Sequence, residues 1–185
     1  MTHTPRVVAV TGGTYRPSRT LALTQELLSE LHRQLPIQSR TIELADIARP
    51  LGGALSRQDL SETLEHQILA IENADLLIVA SPVYRGSYPG LLKHLFDLVG
   101  QDALVNKPVL LAATGGSQRH ALVIDHQLRP LFSFFQALTL PIGVYASESD
   151  FQDYRVTSEA LQARIKLAIE RTLPHLHQQP LRKSA

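Results

Sequence analysis

Residues 74–97, ADLLIVASPVYRGSYPGLLKHLFD, run from a buried strand through a sharp stop into a helix start without interruption, and this limits the folds open to the chain. Leu76, Leu77, Ile78, Val79 and Ala80 form a short apolar run opened by Asp75 and closed by Ser81 and Pro82. Apolar at every position, the run reads as a strand buried on both faces, as in parallel sheets covered by helices. Pro82 has no N–H for a sheet ladder and restricts the residue before it, so the strand ends there and residues 83–87 form a turn at its carboxyl end. Pro89 suits a first-turn position in the helix that follows, and Leu91, Leu92, Leu95, Phe96 and Val99 make its apolar side. In an open α/β sheet, ligands bind in the crevice outside the carboxyl ends of the strands, which directs attention to this turn.

The rest of the chain repeats the alternation. Residues 6–11, RVVAVT, make a central strand that meets Gly12 and Gly13. A helix follows from Arg19, with Ser18 as its N-cap and Leu21, Leu27, Leu28, Leu31 and Leu35 at helical spacing, and stops before Pro36. Residues 37–44 alternate as a second strand. Residues 45–58, with Pro50, Gly52 and Gly53, are expected to be an irregular excursion. A helix marked by Leu60, Leu64, Ile68 and Ile71 leads back to the opening stretch. Residues 107–113 make another strand, closing on Thr114, Gly115, Gly116 and Ser117. A long helical segment to about residue 137 carries Pro130, where a kink or irregular turn is expected. Residues 139–146 supply the last strand, Leu161, Ile165, Ala168 and Ile169 the last helix, and the polar tail from Pro174 is expected to fray.

Strands alternating with helices imply a parallel sheet with right-handed crossovers and helices on both faces. In the doubly wound order 2-1-3-4-5, the switch point lies between the first and third strands, where the glycine and hydroxyl loops converge. At 185 residues the chain fits one domain, here placed at 1–174 with a tail at 175–185. The net charge of +1 provides no field to attract nucleic acid or a membrane surface. The absence of cysteine excludes disulfides and thiolate chemistry, so any redox reaction needs a bound cofactor. No segment approaches the ~18 apolar residues of a membrane span, and the chain reads as a cytoplasmic protein.

The first loop carries Thr14, Ser18 and Thr20 with Arg16 and Arg19, and runs into a helix N-terminus. Hydroxyls, amides and a helix dipole make an anion site suited to a monophosphate, although glycine and hydroxyls also serve simply as turn and cap. There is no G-x-G-x-x-G, no nucleoside triphosphate loop, no H-E-x-x-H pair for a metal and no G-x-S-x-G elbow.

The pattern S-P-V-Y-x-x-S-Y-P-G-x-L-K-x-x-x-D over residues 81–97 resembles the signature of the flavodoxin-like NAD(P)H-dependent FMN reductases. With Thr114, Gly115 and Gly116, the chain is most similar to the subgroup that supplies reduced flavin to sulfonate or sulfone monooxygenases. The resemblance runs from residue 6 to about residue 173. It implies a flavodoxin-like three-layer α/β/α sandwich with a five-stranded parallel sheet. FMN would be substrate or loosely bound cofactor, and NADPH or NADH the hydride donor. An FMNH2-dependent monooxygenase would be the partner, and the chain would self-associate as a homodimer or homotetramer.

By the same resemblance, Thr14, Arg16, Ser18 and Thr20 meet the FMN phosphate, the main chain around Pro82 and Val83 meets the flavin edge with Tyr84 flanking it, Arg85 either meets a cofactor phosphate or is solvated, and Thr114, Gly115, Gly116 and Ser117 meet the pyrimidine side. Hydride passes directly between stacked rings at roughly 3–3.5 Å, so no catalytic acid or base is required. Relatives commonly begin the first loop G-S-x-R-x-x-S, whereas Gly13 and Tyr15 stand here in place of the serine and arginine. Weak FMN retention is therefore expected. Some relatives carry an extra residue that forms a π-bulge near the flavin and the subunit interface, and His126 is the candidate for it. Lys93 and Asp97 lie one i,i+4 step apart, as a surface pair or an intersubunit contact. The alternatives are a reductase that keeps FMN and reduces quinones, azo dyes or metal oxyanions, or a flavodoxin-type electron carrier.

Overall fold

The computed structural model describes residues 4–177. Four parallel strands, β1 (Arg6–Thr11), β2 (Gln38–Glu43), β3 (Leu76–Pro82) and β4 (Pro108–Gly115), lie in the order β2-β1-β3-β4. The fifth position is filled by two short strands, β5 (Leu138–Thr139) and β6 (Val144–Ser147), both parallel to β4. The helices are α1 (Arg19–Gln34), α2 (Leu44–Gly53), α3 (Glu62–Asn73), α4 (Gly90–Asp97), α5 (Arg129–Phe134) and α6 (Glu159–His177). The order 2-1-3-4-5 and the flavodoxin-like α/β/α layering are as the sequence implies.

Period-two alternation sorts the strand side chains between two cores. Val7, Ala9, Leu76, Ile78 and Leu110 pack with Leu23 and Leu27 of α1 and Ile165 of α6. Their neighbours Val8, Val10, Leu77, Val79 and Leu111 face the opposite layer with Ile68 of α3 and Phe96 of α4. Each of these strand residues is at most 4% exposed, and full burial of a branched aliphatic side chain contributes about 1.5–3 kcal/mol. At one sheet end, Arg57 donates to Glu65, Glu72 and the Leu98 carbonyl. Hydrogen bonds to Glu72 and Glu65 hold the guanidinium above its ordinary pKa.

Four expectations require correction. Residues 45–58 are not an irregular excursion, because α2 occupies most of them. Leu44, Ile47 and Leu51 bury on one side of this helix, which outweighs the hydrogen bond Pro50 cannot make. The chain before Pro130 is not a kinked α-helix. It forms a 3₁₀ turn (Gln118–His120) and then a π turn (Ile124–Leu128), after which Pro130 sits in the first turn of α5. The wider π turn lies where a proline ring would otherwise crowd the carbonyl four residues back.

The last strand is interrupted. Val109 pairs with Thr139 but Ala112 pairs with Val144, so residues 140–143 span a gap that Leu110 and Leu111 cover on β4. Finally, α6 continues through Pro174 to His177, anchored by Leu173 and Leu176 in the core beneath α1; the rest of the expected tail lies outside the described residues.

The strand interruption and the π turn fit one another. A Cβ at Gly143 would lie 2.8 Å from Ile124 Cγ2. Ile124 is β-branched and 4% exposed, so it has little freedom to retreat. Gly143→Ala is therefore expected to destabilise the fold by about 1–3 kcal/mol through overpacking. Thermal unfolding followed by circular dichroism should show a melting temperature about 3–9 °C lower. An unchanged melting temperature would mean that Ile124 re-seats freely.

Candidate functional site

Strands β1, β3 and β4 all end at the switch point, β3 and β4 two to three residues beyond β1 in register, and main-chain bonds carry the registration into their loops. The Gly12 amide donates to the Ala80 carbonyl at 2.8 Å, and the Val83 amide to the Thr114 carbonyl at 2.8 Å. The buried hydroxyls of Thr20 and Thr114 meet at 2.7 Å and join the start of α1 to the end of β4. Between these loops lies an open cleft of about 230 Å³.

One end of the cleft is an anion cradle. The Ser18 hydroxyl caps α1 by accepting from the Leu21 amide at 3.2 Å, and the first turn of the helix contains no acidic residue. Ser18, Arg19 and Thr20 line this end, so hydroxyls, a guanidinium and a helix N-terminus face the same space. The other end is built from main chain and flat side chains. Pro82, Val83 and Tyr84 form one wall, and Thr114, Gly115 and Gly116 the other.

Beyond Tyr84 the chain reverses through Arg85 and Gly86, whose φ values of 52° and 84° are those of a primed hairpin turn. Tyr84 and Ser87 exchange backbone bonds of 2.7 and 3.1 Å across that turn. The Ser87 hydroxyl donates to Gln127 Oε1 at 3.0 Å, which fastens the second loop to the π turn. Behind the third loop, the Tyr145 hydroxyl donates to the Ser117 carbonyl at 2.5 Å. Burial, then the charge of Asp150, raises the pKa of this phenol, so it remains a donor at neutral pH.

Of the twelve residues expected to bind the cofactor, the cleft gathers Ser18, Thr20, Pro82, Val83, Tyr84, Thr114, Gly115 and Gly116. Thr14, Arg16, Arg85 and Ser117 do not line it. Arg16 is turned to Glu43 and Asp46, with contacts of 2.8 and 2.9 Å, and these carboxylates raise its pKa. Arg85 is exposed at its turn. Ser117 contributes its carbonyl to Tyr145. His126 is exposed within the π turn and also lies off the cleft. Its neighbour Asp125 pairs with Arg129 at 2.9 Å. Lys93 and Asp97 form an ion pair on α4.

The lining residues beyond those twelve are Gly13, Tyr15, Pro17, Arg19 and Tyr154. Four of these belong to the first loop, and their glycine, proline and basic composition signalled a loop without fixing directions. Tyr154 comes from a small hairpin of β7 (Phe151–Gln152) and β8 (Arg155–Val156). Its tip residues Asp153 and Tyr154 have φ values of 47° and 59°. Asp150 secures the turn before the hairpin by accepting from the Ser147 amide at 2.7 Å and hydroxyl at 2.8 Å. Burial pushes the Asp150 carboxyl up, but bonds from Ser147 and Ser158 outweigh it and hold it below the usual range. Because its pKa is depressed, the contribution of Asp150 to stability is present above about pH 4 and is lost on further acidification.

A hollow of about 450 Å³ lies elsewhere, between α4 and α5, walled by Phe96, Leu131, Phe134 and Phe135. It is larger than the cleft, but its lining is mainly aromatic and aliphatic, with the Lys93–Asp97 ion pair at its edge. The smaller cleft has the chemistry of an anion site beside a slot for a planar ring. That donor set fits FMN, whose phosphate would be held by Ser18, Arg19 and Thr20 and whose ring would meet the main chain of residues 82–84 and 114–116.

Fold and cleft together define a flavodoxin-like nucleotide-binding protein. Residues 5–152 match the family model described as NADPH-dependent FMN reductase, and the chain belongs to that family. It is 70% identical to the NADH-dependent FMN reductase SfnF of Pseudomonas fluorescens, over 97% of each chain. It is 68% identical to an FMN reductase (NADPH) of Pseudomonas aeruginosa, over 94% of each. Among solved structures, the apo form of the NADH:FMN oxidoreductase EMOB is similar at a TM-score of 0.84 and 31% identity, covering 96% of this chain and 92% of that one.

The third loop has no room for a side chain at position 115. A Cβ there would lie 2.2 Å from the Tyr145 hydroxyl, displacing it from Ser117. Gly115→Ala is expected to weaken FMN binding about tenfold, read by quenching of flavin fluorescence and equivalent to ~1.4 kcal/mol. Adding Tyr145→Phe, which removes the clashing oxygen, should recover part of the loss. Native affinity in the single variant would rule out this steric account.

Proposed function

We propose that the protein is an NAD(P)H:FMN oxidoreductase that takes FMN as an exchangeable substrate in the cleft and releases reduced FMN to a separate monooxygenase acting on sulfonates or sulfones. One observation carries the reading: a hydroxyl and arginine cradle at the start of α1 opens onto main-chain walls at the switch point. When bound, FMN supplies a flavin ring able to accept a hydride from NADH or NADPH. Ser18, Arg19 and Thr20 anchor the phosphate end. Pro82, Val83 and Tyr84 hold one edge of the ring. The loop at Thr114, Gly115 and Gly116 brings amides to the opposite edge, where negative charge grows on reduction. No acid or base side chain is needed, because the protein's work is alignment.

The domain is taken to run from the N-terminus through α6, in the cytoplasm, where reduced nicotinamides are available. No helix among the described residues is long and apolar enough to cross a membrane. Self-association is assigned to the hollow between α4 and α5, beside which Phe134 is 64% exposed. The π turn, with His126 at its middle, is the element proposed to connect that assembly with the second loop through Gln127 and Ser87.

The test is oxidation of NADH and of NADPH by flavin-stripped protein in air, with and without added FMN. Turnover that appears only with FMN and saturates with its concentration is expected. Turnover with neither nucleotide would overturn the assignment in favour of an electron carrier. Flavin that survives dialysis bound one per chain, with reduction of quinones or azo dyes, would favour a flavin-retaining reductase instead.

A further inference from the structure

The cationic side chains of the first loop are already paired with carboxylates. Arg16 is committed to Glu43 and Asp46 on the far side of the loop and does not reach the cleft. Arg19 does line the cleft, and it forms an ion pair with Glu148, which lies in the 3₁₀ turn (Glu148–Asp150) that follows β6. The ring of Tyr154 lies under the same guanidinium, 5.7 Å from ring centroid to Cζ. The segment beyond β6, turn and hairpin together, thus supplies two partners for the one arginine of the cradle. They differ in kind: a neutral ring can stay in place when an anion arrives, whereas a carboxylate repels it.

We propose that Glu148 competes with the phosphate of FMN for Arg19 and so keeps the flavin exchangeable, while Tyr154 holds the guanidinium at the rim of the cleft in either pairing. The inference rests on the assignment of the cleft to FMN. Binding then exchanges one anionic partner of Arg19 for another, so little electrostatic gain is left over. Arg19 is 40% exposed and Glu148 60%, so the pair can open at small cost and Glu148 can turn to solvent. The segment that holds Glu148 is itself fixed through Asp150 and Ser147, so the carboxylate returns to the same place when the site empties.

The experiment is a set of fluorescence titrations of flavin-free protein with FMN and with riboflavin, which has the same ring and no phosphate. The variants are Glu148→Gln, Glu148→Ala, Arg19→Gln and the double variant Arg19→Gln/Glu148→Gln, each checked for native thermal unfolding. Both substitutions of Glu148 should tighten FMN binding roughly three- to fivefold, the worth of an exposed pair, with riboflavin unchanged. Arg19→Gln should weaken FMN, and in its background Glu148→Gln should bring no gain. An unchanged or weaker FMN affinity in both Glu148 variants overturns the proposal and leaves the FMN site standing. A gain that persists without Arg19 overturns it in favour of general repulsion. Native protein that binds neither flavin overturns the FMN assignment itself.

Discussion

The contact between the hydroxyls of Thr20 and Thr114 is the one on which the cleft depends. Both residues are buried, one at the second position of α1 and the other near the end of β4. A buried hydroxyl without a partner costs about 1–3 kcal/mol, so each side chain needs the other. The consequence is geometric. The cradle grows from the helix and the main-chain wall from the strand, and the two would be independent if nothing joined them across the crevice. The amide of Val83 extends the arrangement by bonding to the carbonyl of the same Thr114, so one residue at the end of β4 fixes both of its neighbours.

The parts of this architecture that were legible in the sequence are those whose signals are local. An uninterrupted apolar run bounded by Asp75 and Pro82 marked an inner strand, and Ser18 before a helical repeat marked a helix start. Segments governed by partners distant in sequence were misread. Pro50, Gly52 and Gly53 look like loop residues until Leu44, Ile47 and Leu51 are seen to share one buried side of a short helix. Pro130 suggested a kink or irregular turn within a continuous helix, and the irregularity is a π turn just before it, above a strand broken at residues 140–143.

The cleft shows the same division. Its glycines and hydroxyls were evident, but the choice between two nearby arginines was not. Arg16 is drawn away by carboxylates on β2 and α2, while Arg19 remains at the rim. Tyr154 arrives from a hairpin more than a hundred residues downstream, with no sequence pattern connecting it to the first loop. The Ser87 hydroxyl on Gln127 is equally distant in origin. It gives the second loop a mechanical attachment to the π turn, so the face around α4 and α5 and the cleft are not insulated from one another.

The primed turn at Arg85 and Gly86 bears on how such a protein drifts over generations. Position 85 presents its side chain to solvent, yet its backbone sits at a φ that most residues adopt with difficulty. Replacements there are screened by torsional preference rather than by chemistry: glycine, asparagine or aspartate enter easily and β-branched residues do not. Variation at this rim is thus constrained by the backbone itself, and an invariant glycine, asparagine or aspartate at position 85 in other members would record a bend in the chain.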